Sequence, residues 1–210
     1  MIYSKFSKRQ LMAMLWWQQT RYKDRDAIIA DGSIRSGKTV SMTDGFVLWS
    51  MTCFNHQAFA ICGKTIESLR RNVVLPLRDW LPGDFTIVEK RNENRLIIST
   101  PDGRENSYHL FGGRDESSYM LIQGMTLAGV MFDEVALMPR SFVEQACARC
   151  SVPNSKYWFN CNPSSPEHWF YKEWVKKHRE KNALRLHFTM DDNLALDASI
   201  KARYESMYSG

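Results

Sequence analysis

The stretch GSIRSGKT, from Gly32 to Thr39, decides the fold, and only Asp31 separates it from the apolar run AIIA at 27–30. It fits the phosphate-loop pattern G-x-x-x-x-G-K-[ST] in the setting that the pattern needs, with a buried strand before it and a helix-capable stretch after it. Such a loop presents consecutive backbone N–H groups and a helix N-terminus to an anion. The predicted phosphate-binding residues are Gly32, Ser33, Ile34, Arg35, Ser36, Gly37, Lys38 and Thr39.

Single residues of this loop have separate predicted roles. Gly32 and Gly37 permit its tight backbone path. Lys38 can reach the β- and γ-phosphates of a nucleotide as a point charge, and Thr39 can place its hydroxyl on Mg²⁺. The alternative is a glycine-rich turn that contains Lys-Thr by chance. We favour nucleotide binding, because the chain also supplies an acidic partner for the loop.

Composition sets broad limits. The 210 residues are 44% hydrophobic and 12% aromatic, so the chain can bury a core, and its length predicts a single domain over 1–210. It contains no apolar run of about 18 residues and no signal-peptide core, so we expect neither a membrane span nor secretion. Five cysteines without framework spacing are typical of a reducing cytosol. The net charge of +5 is compatible with a polyanionic partner, although the basic residues are spread out and are more typical of solvated faces than of a DNA-binding groove.

Strand and helix patterns alternate along the chain, which predicts a three-layer α/β fold with a mainly parallel sheet. A hairpin of 85–89 and 95–100 adds an antiparallel edge. Order along the chain does not fix order in the sheet, so the pattern only permits a RecA-like arrangement. The other predicted strands are 27–31, 58–62, 107–111, 127–132, 156–161 and 184–189. The predicted helices are 38–53, 65–75 (ended by Pro76), 117–122, 141–150, 168–177 and 198–208.

The acidic partner of the loop is GVMFDE, from Gly129 to Glu134. Its apolar residues predict a buried strand, whose end presents two carboxylates at the carboxyl edge of the sheet, where ligands bind in open α/β folds. Asp133 is the predicted Mg²⁺-site carboxylate. Glu134 is placed to orient or deprotonate an attacking water, which suits hydrolysis. The alternative is a strand followed by an acidic helix cap.

A third segment, YWFNCNP from Tyr157 to Pro163, reads as a strand that stops at a polar turn. If its neighbours are the two strands above, its end faces the γ-phosphate. Asn160 or Asn162 would then sense that phosphate through a hydrogen bond and pass the signal to the next helix. An Asx-Pro turn that merely closes the strand is an equal alternative.

In this order and spacing, GSIRSGKT, GVMFDE and YWFNCNPSSPEHWFY resemble the ATPase domain of the large terminase subunit of tailed bacteriophages, in particular the branch found in defective Bacillus prophages (PBSX-like). ICGKTIESLRR, MLIQGMTLAG and the end of the chain are also similar, so the resemblance covers nearly the whole chain. It implies a RecA-like P-loop NTPase of the additional-strand type with a catalytic glutamate. Such proteins hydrolyse ATP to drive double-stranded DNA into a preformed capsid.

The resemblance also implies roles for single residues. Lys38 and Thr39 carry over as phosphate and Mg²⁺ ligands, Asp133 as the metal-site carboxylate and Glu134 as the catalytic carboxylate. Asn162 is the first choice for the residue that couples hydrolysis to motion.

Two further residues carry over with an alternative each. Gln10 matches a glutamine that contacts adenine in related motors, and otherwise it is a solvated helix position. Arg35 matches a basic residue of the loop that contacts the γ-phosphate or switches between states, and otherwise it is a solvent-facing arginine. We count Arg35 with Lys38 and Glu134 as catalytic.

The implied cofactors are ATP and Mg²⁺. The implied partners are double-stranded DNA, the portal protein, the small terminase subunit, a C-terminal nuclease domain and further copies of the chain in a ring, with a monomer expected in isolation. The implied location is the cytoplasm of a bacterial host, docked transiently on the procapsid portal.

Two features depart from the family pattern. Gln123 stands where many terminases have an arginine that reaches a neighbour's site, and Arg104, Arg114 and Arg140 are the possible substitutes. The chain also stops where the linker to an RNase H-type nuclease would begin. We therefore expect no nuclease activity from these residues.

Three other functions remain open from the residues alone. A helicase or another RecA-like translocase would use the same loop, but no second motor domain accompanies it. A nucleotide kinase is disfavoured by the adjacent Asp133 and Glu134 and by the lack of an arginine-rich lid. A slowly hydrolysing assembly module is the third.

Overall fold

A twisted sheet of eight strands runs through the part of the chain that the structure describes. The computed structural model describes residues 6–81, 83–162 and 165–208. The strands follow one another across the sheet in the order β3-β4-β5-β2-β6-β7-β1-β8. Their bounds are β1 (Ala27–Gly32), β2 (Ala58–Gly63), β3 (Thr86–Lys90), β4 (Arg95–Ser99), β5 (Glu105–Gly112), β6 (Gly129–Phe132), β7 (Lys156–Cys161) and β8 (Ala183–Phe188).

Six of these strands form a parallel sheet, and the β3–β4 hairpin extends it antiparallel to β5. The predicted fold class is therefore confirmed. The order of the strands could not be predicted, and it matters most at the centre, where β7 lies between β1 and β6. The ends of these three strands meet at the carboxyl edge, so the phosphate loop, the Asn160 segment and the acidic pair become neighbours.

Helices cover both faces of the sheet. In the described part of the chain, five shorter turns are 3₁₀-helical: Trp16–Gln18, Arg91–Glu93, Glu116–Ile122, Val135–Leu137 and Met190–Asp192. Two turns, Arg70–Val74 and Tyr171–Val175, are π-helical. The α-helices are α1 (Lys8–Leu15), α2 (Lys38–Cys53), α3 (Ile66–Leu69), α4 (Leu75–Trp80), α5 (Arg140–Ala148) and α6 (Ala198–Tyr208). In the described ranges, no helix has the length and apolar character needed to cross a bilayer.

Each face of the sheet has its own apolar core. Ile28 and Ala30 of β1 point into the core beneath α1 and α2, whereas Ala27 and Ile29 point into the core beneath α5. Successive side chains of a strand alternate between faces, and both faces of β1 are covered. All six of its residues are therefore buried, and its first four, AIIA, form a continuous apolar run. Large aromatic side chains fill both cores, among them Trp49, Phe59, Tyr108 and Trp158 on one side and Phe132, Phe159 and Phe170 on the other.

The helical run after β2 is longer than predicted, so the prediction that Pro76 ends it was wrong. The run continues to Trp80, because the π-helical turn Arg70–Val74 lets the chain stay helical through Pro76. Leu75 donates its N–H to the carbonyl of Arg70, five residues back. The wide turn ends just before the proline, which then lies in the first turn of α4, where a missing N–H costs little. The predicted helix 168–177 likewise contains a π-helical turn at its centre.

A buried carboxyl group in α2 makes stability depend on pH. Asp44 is 4% exposed, and its Oδ1 has no hydrogen-bond partner among the described residues. Burial raises the pKa of Asp44 from 3.8 to about 7, because the low-polarity surroundings disfavour the charged form. Between about pH 4 and pH 7, the folded chain therefore keeps a proton on Asp44 that the unfolded chain has released.

We expect the unfolding free energy to fall as the pH rises from about 4 to above 7, since the protonated carboxyl is favoured only in the folded state. Asp44→Asn removes this pH dependence. It should raise the unfolding free energy at pH 8 by on the order of 2 kcal/mol relative to wild type and change it little at pH 4. Urea unfolding at both pH values measures the difference. Asp79→Asn, at an exposed position, is the control. Equal effects of the two substitutions on the unfolding free energy would contradict the prediction.

Candidate nucleotide-binding site

Two glycines of the phosphate loop occupy positions that a side chain would not fit. Gly32 ends β1 with φ of 131°, and a Cβ there would lie 2.0 Å from the carbonyl oxygen of Phe188. Gly37 begins α2 as its N-cap with φ of 79°, and a Cβ there would lie 2.3 Å from Gln10 Nε2. The loop is thus held closely between β8 on one side and α1 on the other.

Gln10 is buried against the loop, so the alternative of a solvated helix position is excluded. Its side chain is part of a capping box at the start of α1, where Ser7 donates its N–H to Gln10 Oε1 at 2.9 Å. The residue is 5% exposed. The polar residues Ser-Lys-Arg-Gln at 7–10 gave no reason to expect burial, because the helix packs on partners distant in sequence. The proposed adenine contact stays a prediction.

Lys38 crosses the inside of the loop. Its Nζ donates to the carbonyl oxygens of Gly32 at 3.1 Å and Ser33 at 2.6 Å, and to Asn162 Oδ1 at 2.9 Å. Burial lowers the pKa of Lys38 to about 8, while nearby acidic groups, including Asp31, act in the opposite direction. A cation is therefore fixed at the base of the loop, where the phosphates of a nucleotide would lie.

The predicted metal ligands lie together at the ends of α2 and β6. Thr39 Oγ1 and Asp133 Oδ1 are 3.5 Å apart. Two oxygen ligands of one octahedral Mg²⁺, each about 2.1 Å from the ion, are about 3 Å apart when they are adjacent, so this pair fits the ion. Asn160 Nδ2 donates to Thr39 Oγ1 at 2.9 Å and to Asp133 Oδ1 at 2.7 Å, and it thereby holds both oxygens in place.

Asp133 supplies the carboxylate of the Thr39–Asp133 pair, and the residue is buried, with 7% of its surface exposed. Burial raises the pKa of Asp133 to about 6, and the neighbouring Glu134 acts in the same direction, whereas the hydrogen bonds from Asn160 and Thr39 lower it. Within the described ranges, no group of three His, Cys, Asp or Glu side chains could hold a metal ion. A metal here would take its other ligands from nucleotide oxygens and water, as Mg²⁺ usually does.

Glu134 occupies an unusual backbone position beside this pair. It has φ of 57° and ψ of 55°, the left-handed region, and it follows β6 after one residue, Asp133. Such a conformation costs a residue other than glycine about 1–3 kcal/mol and is common at active sites. Glu134 lines one cleft of about 330 Å³ together with the loop, Asn160 of β7 and Asn162 just after it. The residues of this cleft are Ile34, Arg35, Ser36, Gly37, Lys38, Thr39, Val40, Glu134, Asn160, Asn162 and Asn193.

The two asparagines near the end of β7 contact different parts of the site. Asn160 bonds to the metal pair, and Asn162 bonds to Lys38. An Asx-Pro turn alone does not explain these contacts. Pro163, which closes the predicted turn, lies outside the described residues. The choice of Asn162 as the residue that couples hydrolysis to motion stays a prediction.

Arg35 lies at the exposed rim of the cleft. Its backbone has φ of 59°, and its carbonyl accepts a hydrogen bond from Asn193 Nδ2 at 2.8 Å. Its guanidinium lies 5.7 Å from the centre of the Tyr204 ring, within cation–π range. Contacts from residues 193 and 204 to the loop were not predicted, because no motif marks the packing of distant segments.

The structure places the possible substitutes for a trans-acting arginine in different regions. Arg104 donates to the carbonyls at the end of α2, at the amino edge and away from the cleft. Arg140 pairs with Glu144 and Glu173. Gln123 is exposed after the 3₁₀ turn, and Arg114 follows β5 at the carboxyl edge.

Comparisons with known proteins come from a family model and from solved structures. Residues 29–210 match the family model described as "Terminase large subunit, T4likevirus-type, N-terminal". The search of curated proteins gave no match. The large terminase of a thermophilic bacteriophage is 54% identical, with a TM-score of 0.93 over 99% of this chain and 51% of that chain.

Two further structures of this thermophilic-phage enzyme were solved with nucleotides. The ADP complex is 52% identical with a TM-score of 0.93, and the ATP-gamma-S complex is 51% identical with a TM-score of 0.91. Each covers 98% of this chain, which spans 51% and 50% of those chains, or about half their length. The ATPase domain of the Thermus phage P74-26 large terminase is 14% identical with a TM-score of 0.62 over 98% of this chain and 94% of that chain, which shows a common fold.

Proposed function

This chain belongs to the family of large terminase subunits, and we propose that it is the portion that hydrolyses ATP to move double-stranded DNA. One observation carries the proposal. At the carboxyl edge of the sheet, the phosphate loop with Thr39 and the side chain of Glu134 line a single cleft, and Asp133 lies 3.5 Å from Thr39. A site that only bound a nucleotide would not require a glutamate in a strained conformation beside the metal pair.

The proposed mechanism assigns each step to a residue of this cleft. Loop N–H groups and Lys38 bind the phosphates and stabilise charge that develops during transfer. Thr39 and Asp133 would hold Mg²⁺, which would neutralise phosphate charge. Glu134 orients and deprotonates the attacking water. Arg35, at the rim, contacts the γ-phosphate.

The nucleotide is proposed to be ATP. The large terminase of the thermophilic bacteriophage was solved with ADP and with ATP-gamma-S, and this chain is 52% and 51% identical to it in those structures. Gln10 lies against Gly37 of the loop, and we propose that it contacts the adenine ring. Asn160 and Asn162 link the loop to β7, and we propose that they transmit the presence of the γ-phosphate to the segment that follows.

The proposed setting is that of a packaging motor in the host cytoplasm. Its partners would be DNA, the portal protein, the small terminase subunit and further copies of this chain in a ring. A nuclease domain would lie in the half of the relatives' length that this chain does not span. The family assignment favours this role over the helicase, kinase and assembly-module alternatives.

Phosphate release from ATP tests the proposal. We expect the purified chain to produce ADP and phosphate in a reaction that requires Mg²⁺, slowly in isolation because neighbours and portal are missing. The assay is run with and without duplex DNA, beside a screen for small phosphate acceptors. Transfer to an acceptor without phosphate release would establish a kinase and refute the proposal.

A further inference from the structure

The tip of the β3–β4 hairpin, residues 89–95, carries more cations than its carboxylates neutralise. We infer that this tip binds the phosphate backbone of duplex DNA. The inference rests on the proposed function, because it supplies the surface through which an ATP-driven translocase would hold its track. It concerns a surface separate from the nucleotide cleft.

The first observation is a set of three arginines around one carboxylate. The Glu89 side chain is 6% exposed, and its Oε1 accepts a hydrogen bond from Arg70 Nε at 2.9 Å. Arg78 Nη2 and Arg91 Nε lie 3.3 and 3.6 Å from Glu89 Oε2. One carboxylate neutralises one guanidinium, so the cluster keeps a positive charge. Like charges held this close repel one another, and an external anion relieves the repulsion.

The second observation is that the cluster is ordered and accessible. Arg70 also donates to the carbonyl of Arg91 at 3.1 Å and to Asn94 Oδ1 at 2.9 Å, which fixes the hairpin turn against the helical run. Arg91 and Arg78 remain 72% and 44% exposed. The buried end of the cluster therefore positions guanidinium groups whose other donors face solvent.

The third observation is that cations also lie on the opposite face of the hairpin. Lys90 pairs with Arg95 in the strand register, and Lys90 is exposed. Side chains alternate along a strand, so Lys90 points away from the face that carries Glu89. Arg95 forms an ion pair with Glu93. The tip thus presents positive charge from both faces.

The position of the tip agrees with a translocation surface. β3 runs in the direction of the parallel strands, so its last residue, Lys90, lies at the carboxyl edge, as the nucleotide cleft does. Five strand spacings separate β4 from β1, or about 24 Å. DNA at the tip would not overlap a nucleotide in the cleft, and both would lie on one edge of the sheet.

The chemistry of the tip favours phosphates over bases. Arginine presents a planar fork of donors that matches phosphate oxygens, and lysine adds a point charge. A short turn with flanking cations contacts the backbone and carries no base-reading element. Binding should therefore be insensitive to sequence and strongly dependent on salt.

Fluorescence anisotropy with a labelled DNA duplex, measured over a range of salt concentrations, tests the inference. For the 210-residue chain carrying Lys90→Gln and Arg91→Gln, the negative slope of the log of the association constant against log salt should become shallower by about 2, and the Kd at about 100 mM salt should rise about tenfold. The matched control carries Lys177→Gln and Arg179→Gln, which removes the same charge from exposed residues at the amino edge. That control should bind DNA as the wild type does.

Each outcome is decisive. Equal weakening by both variants would show a net-charge effect and overturn the inference, as would unchanged binding by the hairpin variant. Phosphate release without DNA is measured in parallel, and all three proteins should hydrolyse ATP at the same basal rate. A wild-type chain that hydrolyses ATP but binds no duplex refutes this inference alone, whereas a chain that binds duplex but releases no phosphate refutes the proposed function.

Discussion

Glu134→Gln should bind ATP as tightly as the wild type and hydrolyse it at least about 100-fold more slowly, the range typical of a lost general base. The amide keeps the size of the side chain but cannot accept a proton from water. Glu134 is suited to this test because its backbone already holds the left-handed conformation. Asn and Asp tolerate that region best, and glutamine differs little from glutamate there, so the substitution adds little backbone strain.

Binding and turnover are measured separately for this variant. Equilibrium binding of a fluorescent ATP analogue gives the affinity, and phosphate release gives the rate. Glu144→Gln is the control, because Glu144 is an exposed carboxylate on α5 that pairs with Arg140. It should hydrolyse ATP at the wild-type rate. A Glu134→Gln chain that also does so would show that another group activates the water.

The sequence predicted those parts of the site that lie on continuous motifs. GSIRSGKT and GVMFDE fix their own geometry, because a strand, a turn and a helix start must follow one another within a few residues. The structure places Thr39 beside Asp133, as expected. That contact joins residues far apart in the chain, and it could be predicted only because both motifs end at the same edge of a parallel sheet.

The parts that could not be predicted depend on packing between distant segments. No local pattern indicates that α1 carries Gln10 to the loop or that Asn193 bonds to the carbonyl of Arg35. The hydrophobic period of a helix hardly distinguishes an α-helical from a π-helical turn, so the Arg70–Val74 turn was missed. The order β1-β7-β6 is likewise a matter of pairing across the sheet.

The structure distinguishes the two asparagines near the end of β7, Asn160 and Asn162. From the residues alone, Asn160 and Asn162 were interchangeable candidates. The structure gives Asn160 two hydrogen bonds to the metal pair and gives Asn162 one to the loop lysine. Asn160 is therefore positioned to respond to metal coordination, and Asn162 to phosphate binding. Substituting each asparagine alone should separate these two effects.

Lys38→Ala should lower ATP affinity by about 100-fold or more, because charge-assisted bonds to phosphate contribute about 1.5–3 kcal/mol each and this lysine can make two. It is buried, and its Nζ also holds the carbonyls of Gly32 and Ser33. The variant therefore loses both the cation and part of the order of the loop. Fluorescence binding of the ATP analogue measures the loss, and thermal unfolding measured beside it shows whether the fold persists.

The chain supplies its own control for this experiment, since the tripeptide Gly-Lys-Thr occurs twice. The second copy, 63–65, has Ala58 where the phosphate-loop pattern requires its first glycine, and its lysine, Lys64, donates to the carbonyl of Arg114 instead. Lys64→Ala removes the same side chain from the same local sequence at the same edge of the sheet. It should leave ATP affinity unchanged. Equal loss in both variants would mean that charge along this edge binds the nucleotide, and that GSIRSGKT is not the specific phosphate site.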